Sequence, residues 1–74
     1  MTKTLYCLTY DRWFLDRNGD WDFEKHTEEF ANEEFCERIA VRRLSDNKVS
    51  RNSIKTYSRE VSEEYYRNFL ANYD

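Results

Sequence analysis

The chain contains no proline, a single glycine and a single histidine among its 74 residues. Proline and glycine are the strongest breakers of regular structure, so their scarcity predicts long helices and strands joined by short turns. One glycine cannot build a glycine-rich phosphate loop. One histidine and two distant cysteines, Cys7 and Cys36, do not give the ligand spacing of a zinc site. These absences predict a protein that is not an enzyme and that carries no metal and no cofactor.

Long apolar runs are also missing. No segment approaches the roughly 20 apolar residues that a membrane-spanning helix needs, and the N-terminal residues do not have the pattern of a secretory signal. We therefore expect a cytoplasmic protein without a membrane partner, whose two cysteines are small core residues and not a disulfide. At this length there is room for one hydrophobic core, so residues 1–74 are predicted to form one domain.

Aromatic residues and charge are abundant. Six Tyr, five Phe and two Trp supply enough apolar area for a small core and leave some rings at the surface. The charges are segregated along the chain: ten acids and four bases in residues 1–37, seven bases and one acid in residues 38–59, and four acids and one base in residues 60–74. Segments of opposite sign attract each other, so this separation bears on both the fold and the partner.

The first part of the chain predicts a β-hairpin. Residues 4–15 are rich in strand formers, and residues 20–25 alternate between aromatic and acidic side chains. The Asn18-Gly19 pair between them predicts a type I′ turn, which needs positive φ at both central residues.

Two helices are predicted to follow. Thr27 and the two glutamates after it are typical of a helix start, and an apolar stripe at helical spacing extends this helix over residues 27–44. A second stripe at three- and four-residue steps favours one long helix over residues 52–72. Its members are Ile54, Tyr57, Val61, Tyr65 and Phe69. The predicted fold is therefore α+β, an N-terminal β-hairpin followed by two helices (ββαα), and the alternative is ββαβα with a third strand at residues 49–57.

The hairpin is predicted to carry the working surface. Its carboxylates alternate with Trp21 and Phe23, so one strand face can be buried while the acids point outward. Accessible Trp beside charge is typical of a binding hot spot. The predicted protein-binding residues are Trp13, Asp16, Asp20, Trp21, Asp22 and Glu24. They predict a protein partner with a basic surface, and the size and composition of the chain are similar to those of phage and mobile-element inhibitors of host nucleic-acid-handling machinery.

The alternative function is a helix-turn-helix-like DNA-binding regulator that uses residues 38–59. Residues 39–57 resemble a helix-turn-helix, in which Ala40 or Leu44 of the first helix packs on Ile54 of the second. The basic and polar residues of this part of the chain fit an electrostatic footprint on DNA: Arg42, Arg43, Lys48, Ser50, Arg51, Asn52 and Lys55. Nucleic acid is thus the second candidate partner, although the isoelectric point of the whole chain is only about 5.1.

Overall fold

A three-stranded antiparallel sheet organises the computed structural model, which describes residues 1–72. The strands are β1 (Thr2–Leu15), β2 (Trp21–Phe30) and β3 (Lys55–Ser62). Their order in the sheet is β2-β1-β3, so β1 is central and pairs with both neighbours.

Two helices complete the fold. Helix α1 (Glu33–Leu44) follows β2, and helix α2 (Glu63–Ala71) follows β3. A short 3₁₀ turn (Arg51–Ser53) lies between α1 and β3. The predicted α+β class is confirmed, and the chain order is the alternative, ββαβα, not ββαα.

The predicted single helix over residues 52–72 is wrong because its first half forms β3. This strand pairs with β1 from Thr2↔Ser62 to Thr9↔Lys55. Without it, one edge of the buried central strand would keep unpaired backbone groups, and the need to pair them outweighs the helical periodicity. Of the five residues of the predicted stripe, only Val61 is buried.

Both helices begin at capping residues that lie inside the longer helices predicted from the apolar stripes. Asn32 caps α1, and its Oδ1 accepts a hydrogen bond from the backbone N–H of Phe35 at 3.0 Å. Ser62 caps α2 in the same way, accepting from the N–H of Tyr65 at 3.1 Å. The predicted start at Thr27 is wrong, because β2 continues to Phe30, which is buried in the core.

The helices pack on opposite faces of the sheet. Strand alternation puts Leu8 and Tyr10 on one face, where they form the main core with Phe30, Cys36 and Val49 under α1. On the other face lie the buried residues of β1 that alternate with them: Leu5, Cys7 and Thr9. Here the hydroxyl of Tyr65 from α2 donates to Glu29 at 3.1 Å and accepts from Arg59 at 2.8 Å. Both cysteines are free and buried, as predicted.

Candidate protein interface

The β1–β2 hairpin extends past the end of the third strand. Pairing of β1 with β3 ends at Thr9, whereas pairing with β2 continues from Tyr10↔His26 to Leu15↔Trp21. We call residues 10–26 the arm. A strand rises about 3.3 Å per residue, so the arm projects by roughly 20 Å. The molecule is accordingly elongated, with extents of 47 × 24 × 20 Å.

The root of the arm is fixed to α1 by a compact polar network. The ring of Tyr10 stacks on that of His26, with centroids 5.6 Å apart, and the guanidinium of Arg43 lies 5.5 Å from the Tyr10 centroid. Arg43 also donates two hydrogen bonds to Glu28, from Nε at 3.0 Å and from Nη2 at 2.9 Å. Such a bidentate pair holds both side chains in one geometry.

Within this network the pKa of Tyr10 is raised and the pKa of Glu28 is lowered. Burial raises the pKa of Tyr10, and the neighbouring Glu28 adds to that effect. Burial alone would also raise the pKa of Glu28, but hydrogen bonds from Arg43 and Tyr10, with the charge of Arg43, lower it below its ordinary value of 4.5. Glu28 is therefore a charged structural anchor at the root of the arm.

The segment between α1 and β3 supports one edge of the arm. We call residues 46–53 the brace. It contacts β1 through a series of hydrogen bonds: Trp13 N–H to Lys48 O at 2.7 Å, Ser50 N–H to Asp11 O at 2.9 Å, Asp11 N–H to Ser53 Oγ at 2.8 Å, and Arg12 Nη1 to Asp46 Oδ2 at 3.0 Å. The brace thus continues the role of β3 as far as Trp13, and the last residues of the arm project beyond it.

The turn at the end of the arm differs from the predicted type I′ turn. Among residues 1–72 only Gly19 has a positive φ, of 81°, so Asn18 does not adopt the left-handed conformation that type I′ requires. The N–H of Gly19 donates to Asp16 O at 3.1 Å, and the N–H of Asp16 donates to Asp20 O at 2.9 Å. This is a three-residue loop, a type I turn followed by a left-handed glycine.

The carboxylate of Asp16 stabilises that loop from inside. Its Oδ1 accepts hydrogen bonds from the backbone N–H groups of Asn18 at 2.8 Å and Asp20 at 2.9 Å. An Asp that bonds backbone groups two and four residues ahead holds a turn without help from the rest of the protein. The side chain of Asp20 has no such role and remains at the surface.

Four large apolar side chains share one face of the arm. Trp13 pairs with Phe23 and Leu15 pairs with Trp21, so the alternation of both strands places them together. The Trp13 and Phe23 rings meet edge to face with centroids 5.2 Å apart. Trp21 is 61 % exposed, Leu15 56 % and Phe23 52 %. We call these four residues the apolar patch.

The apolar patch corrects one expectation about the hairpin. The alternation of aromatic and acidic residues in β2 predicts a buried aromatic face, but Trp21 and Phe23 are both exposed. Most of this face is left exposed by residues 1–72, because the helices pack over the sheet and the brace reaches only its edge, where Asn47 and Lys48 line a hollow with Trp13 and Trp21.

The six predicted protein-binding residues all lie on the arm but on different faces. Trp13 and Trp21 belong to the apolar patch, and Asp16 and Asp20 lie in the loop at its end. Asp22 and Glu24 pair with Phe14 and Arg12 on the opposite face. The prediction missed two patch members, Leu15 and Phe23. The i, i+2 spacing of apolar residues on both sides of the turn is the sequence signal that identifies them.

The helix-turn-helix prediction is wrong. Its second helix would occupy residues 49–57, which in the structure form part of the brace, the 3₁₀ turn and the start of β3. The residues proposed for DNA are dispersed over these elements: Arg42 and Arg43 in the last turn of α1, Lys48 and Ser50 in the brace, Arg51 and Asn52 in the 3₁₀ turn, and Lys55 at the start of β3. An extended backbone is needed here because residues 48–50 pair with the edge of β1.

Residues 1–72 were also compared with the requirements of a metal site and of a membrane-spanning helix. Residues 1–72 contain no group of three or more His, Cys, Asp or Glu side chains placed to hold a metal ion. Neither helix in this range has the length and apolar character needed to cross a bilayer. Comparison with known protein families, with curated proteins and with solved structures finds no match to this chain. The function is therefore inferred from the geometry of the arm.

Proposed function

We propose that this protein is a non-enzymatic binding module that docks the end of its arm on another protein. The observation that supports this proposal is the apolar patch: two Trp, one Phe and one Leu on one face of a projecting hairpin. Exposed apolar groups that cluster in this way mark interaction sites more often than scattered ones do. Trp is also among the residues that dominate binding energy at interfaces.

The backbone that carries the patch is supported at its root, along one edge and at its loop. The polar network fixes the root of the arm, the brace supports one edge, and Asp16 holds the loop. A preorganised hairpin loses little conformational entropy on association, so more of the burial energy of its aromatic rings contributes to affinity. The arm is therefore suited to insertion into an apolar groove.

The loop at the end of the patch points to a basic partner. Asp16 and Asp20 lie there with Arg17 as the one base, so carboxylates border the apolar surface. Acids beside an apolar contact steer a positively charged partner and raise the association rate. We therefore propose a partner whose apolar groove is flanked by Lys or Arg, and specifically a phosphate-binding surface of a nucleic-acid-handling enzyme that this protein blocks.

Outside the patch, the contacts described above serve to hold the arm in place. The titratable groups at the root are engaged in structural contacts: Arg43 donates hydrogen bonds to Glu28, and the Tyr10 ring stacks on that of His26. A cytoplasmic site of action is part of the proposal, and the two free, buried cysteines are what a reducing compartment favours.

The test is capture of a partner by the wild-type protein and by the double variant Trp21→Ser, Phe23→Ser, with nuclease present. We expect the double variant to lose the partner, with affinity lowered by about thirtyfold or more, because two central aromatic contacts are removed. Two controls change apolar residues that are also exposed but lie off the patch: Phe14→Ser on the opposite face of the arm, and Val41→Ser on α1. Both controls should keep the partner.

Two outcomes would overturn the proposal. One is equal capture by the double variant and the wild-type protein, with both shown to be folded by circular dichroism. The other is a partner that disappears on nuclease treatment, which would make nucleic acid the ligand. With the purified partner, added duplex DNA should compete with this protein, and simultaneous binding of both would exclude blockage of a phosphate-binding site.

A further inference from the structure

The direction of the backbone groups along β1 shows which groups of β3 remain unpaired. Asp11 uses both of its backbone groups toward the brace: its N–H donates to Ser53 Oγ at 2.8 Å, and its C=O accepts from Ser50 N–H at 2.9 Å. Backbone groups alternate in direction along a strand, so every second residue of β1 before Asp11 points toward β3. These residues and their partners in β3 are Thr9↔Lys55, Cys7↔Tyr57, Leu5↔Arg59 and Lys3↔Val61.

The residues of β3 between those partners therefore direct their N–H and C=O groups away from the sheet. They are Thr56, Ser58 and Glu60, and all three are exposed. Among residues 1–72 no acceptor outside the sheet bonds their N–H groups. The other edge of the sheet differs, because Asp22 Oδ1 accepts a hydrogen bond from the outer N–H of Phe23 at 2.8 Å. The pairing of β3 with β1 has no bulge, so β3 is a regular open edge.

A cleft of about 450 Å³ lies beside this edge, between β3 and α1. Thr56 and Ser58 form one side of the cleft, and Glu33 and Glu37, one turn apart on α1, form the other. The two β3 side chains lie on the α1 face because their partners in β1 belong to the core under α1 or pack against it. A strand added at the open edge would therefore direct every second side chain toward this cleft.

The charge around the cleft is acidic and unpaired. Among residues 1–72, neither Glu33 nor Glu37 forms an ion pair, and the same is true of Glu60, which lies on the same face of the sheet. No base from the described part of the chain lines the cleft. The two bases of β3, Lys55 and Arg59, project from the opposite face because strand side chains alternate. A segment bound at this edge is therefore favoured if it is basic on the cleft side.

We propose that the open edge of β3 binds an extended segment of another protein, which adds to the sheet as an antiparallel strand and carries Lys or Arg at every second residue. Hydrogen bonds to the backbone of Thr56, Ser58 and Glu60 provide affinity, and the side chains that enter the cleft provide selectivity. Directly opposite residues share a face of the sheet. The basic side chains therefore lie opposite these three residues, on the side of Glu33 and Glu37.

The intervening residues of the segment lie on the other face, opposite Tyr57 and Arg59. Tyr57 is 49 % exposed, and a β-branched apolar residue packs well beside an aromatic one across a strand pair. The matching segment therefore alternates basic and apolar residues. A second copy of β3 is a poorer occupant, because antiparallel pairing of two copies puts both α1 helices on one side and brings their acidic clefts together.

The test measures binding of a labelled peptide, Thr-Lys-Val-Lys-Val-Lys-Thr, by fluorescence anisotropy. A peptide with Glu in place of each Lys should bind at least about tenfold more weakly. Two N-methylated peptides separate edge pairing from charge attraction, because in antiparallel pairing the lysine N–H groups point to β3 and the valine N–H groups point away. Methylation of the lysine nitrogens should weaken binding by about tenfold or more, and methylation of the valine nitrogens by less than about twofold. Equal binding of both methylated peptides, or no binding of the unmodified peptide at about 1 mM, would overturn the proposal.

A matched pair of variants on α1 tests the cleft. Glu37→Gln removes a cleft carboxylate and should weaken peptide binding by about threefold, the usual size of an exposed ion pair. Glu34→Gln removes the same charge from the same helix outside the cleft, where it pairs with Arg38 at 3.7 Å, and should leave the affinity unchanged. Equal effects of the two variants would show a general attraction of charge and overturn the role of the cleft.

Ser58→Pro tests the edge from the side of the protein. The N–H of Ser58 points outward, so proline removes a donor for the segment without removing a hydrogen bond to β1. We expect a protein that is folded by circular dichroism and binds the peptide at least about tenfold more weakly. A folded variant with wild-type affinity would overturn edge pairing, and for a variant that does not fold the methylated peptides decide the question on the wild-type protein.

The edge of β3 and the arm share no residue, so the two binding surfaces can fail separately. Trp21→Ser, Phe23→Ser should bind the peptide as the wild-type protein does, and loss of peptide binding in that variant would overturn the placement of the segment on β3. Sedimentation velocity checks the choice of occupant. A dimer that pairs through β3 and excludes the peptide would show that a second copy, and not a basic segment, occupies the edge.

Discussion

One strand, β1, runs through two regions with opposite character. From Leu5 to Thr9, in the body of the sheet, its side chains are largely enclosed on both faces, and Leu5 and Leu8 have no exposed surface. In the arm the same strand carries Trp13, Phe14 and Leu15, all exposed. Both regions carry large apolar side chains. What differs is that a helix covers each face of the body, whereas among residues 1–72 no helix covers the patch face of the arm and the brace borders only its edge.

The comparison shows where this small domain stores stability and where it exposes apolar area. Few apolar side chains are buried, and they cluster under α1 or lie on the opposite face near α2. A chain of this size has little stability to spare, so keeping large aromatic side chains outside the core is costly. Exposed apolar area that could have joined the core is best explained by a use at the surface.

The strongest test of the difference between body and arm uses two leucines of β1, one in each region. Leu8→Ala should lower the free energy of unfolding by about 3 kcal/mol, because it leaves a cavity in the core. Leu15→Ala should change it by less than about 0.5 kcal/mol, because more than half of that residue's surface is already exposed. Urea unfolding measures both. If the two substitutions had equal effects, the arm would be packed like the body.

The root of the arm, where it meets the body of the sheet, gives a second matched pair of variants. Glu28→Gln removes the charge that Arg43 binds with two hydrogen bonds in a half-buried setting, and should destabilise the protein by about 1 to 2 kcal/mol. Glu34→Gln removes a similar acid from the i, i+4 pair with Arg38, at 3.7 Å in largely exposed surroundings. That control should cost less than about 0.5 kcal/mol. A larger loss of stability from Glu34→Gln than from Glu28→Gln would contradict the anchoring role of Glu28 at the root of the arm.

Glu28, at the root of the arm, also makes the stability of the fold depend on pH. The folded pKa of Glu28 lies below its ordinary value of 4.5. A depressed carboxyl pKa stabilises the fold above the unfolded value and loses that contribution as pH falls through the folded pKa. Stability should therefore drop below about pH 4.5, and Glu28→Gln should reduce that drop. An unchanged acid limb in the variant would show that Glu28 is not the group responsible.

The hairpin, the first helix and their order could be predicted from the sequence because their signals are local. Alternation of side chains, a turn with Asn-Gly, and acidic and basic helix ends all act within a few residues. The third strand could not, because its reason is distant. The stripe of Ile54, Tyr57 and Val61 fits a helix, and only the unpaired edge of β1, about fifty residues earlier, makes this segment a strand.

The candidate site was predicted in part for a related physical reason. Trp13, Trp21 and the loop acids are on the arm, as a hairpin requires, but which face is covered depends on where the helices pack. Helix packing is a tertiary property that alternation alone does not specify. Two local signals were nonetheless available for the helix starts: Asn32 and Ser62 each precede a pair of glutamates.

The smallest expected effect concerns Gly19, and it asks whether arm and body open separately. An added Cβ at Gly19 meets nothing within 4 Å, so Gly19→Ala is opposed only by the positive φ of 81°. That backbone penalty is about 1 kcal/mol. Amide hydrogen exchange in residues 13–23 should accelerate about fivefold, which is what 1 kcal/mol corresponds to, while amides of the body keep their rates. Gly19→Asn is the matched control, since Asn tolerates positive φ and should accelerate exchange less. Equal acceleration in the body would show that the protein opens as one cooperative unit, and the arm would then owe its order to the core and not to its own turn and brace.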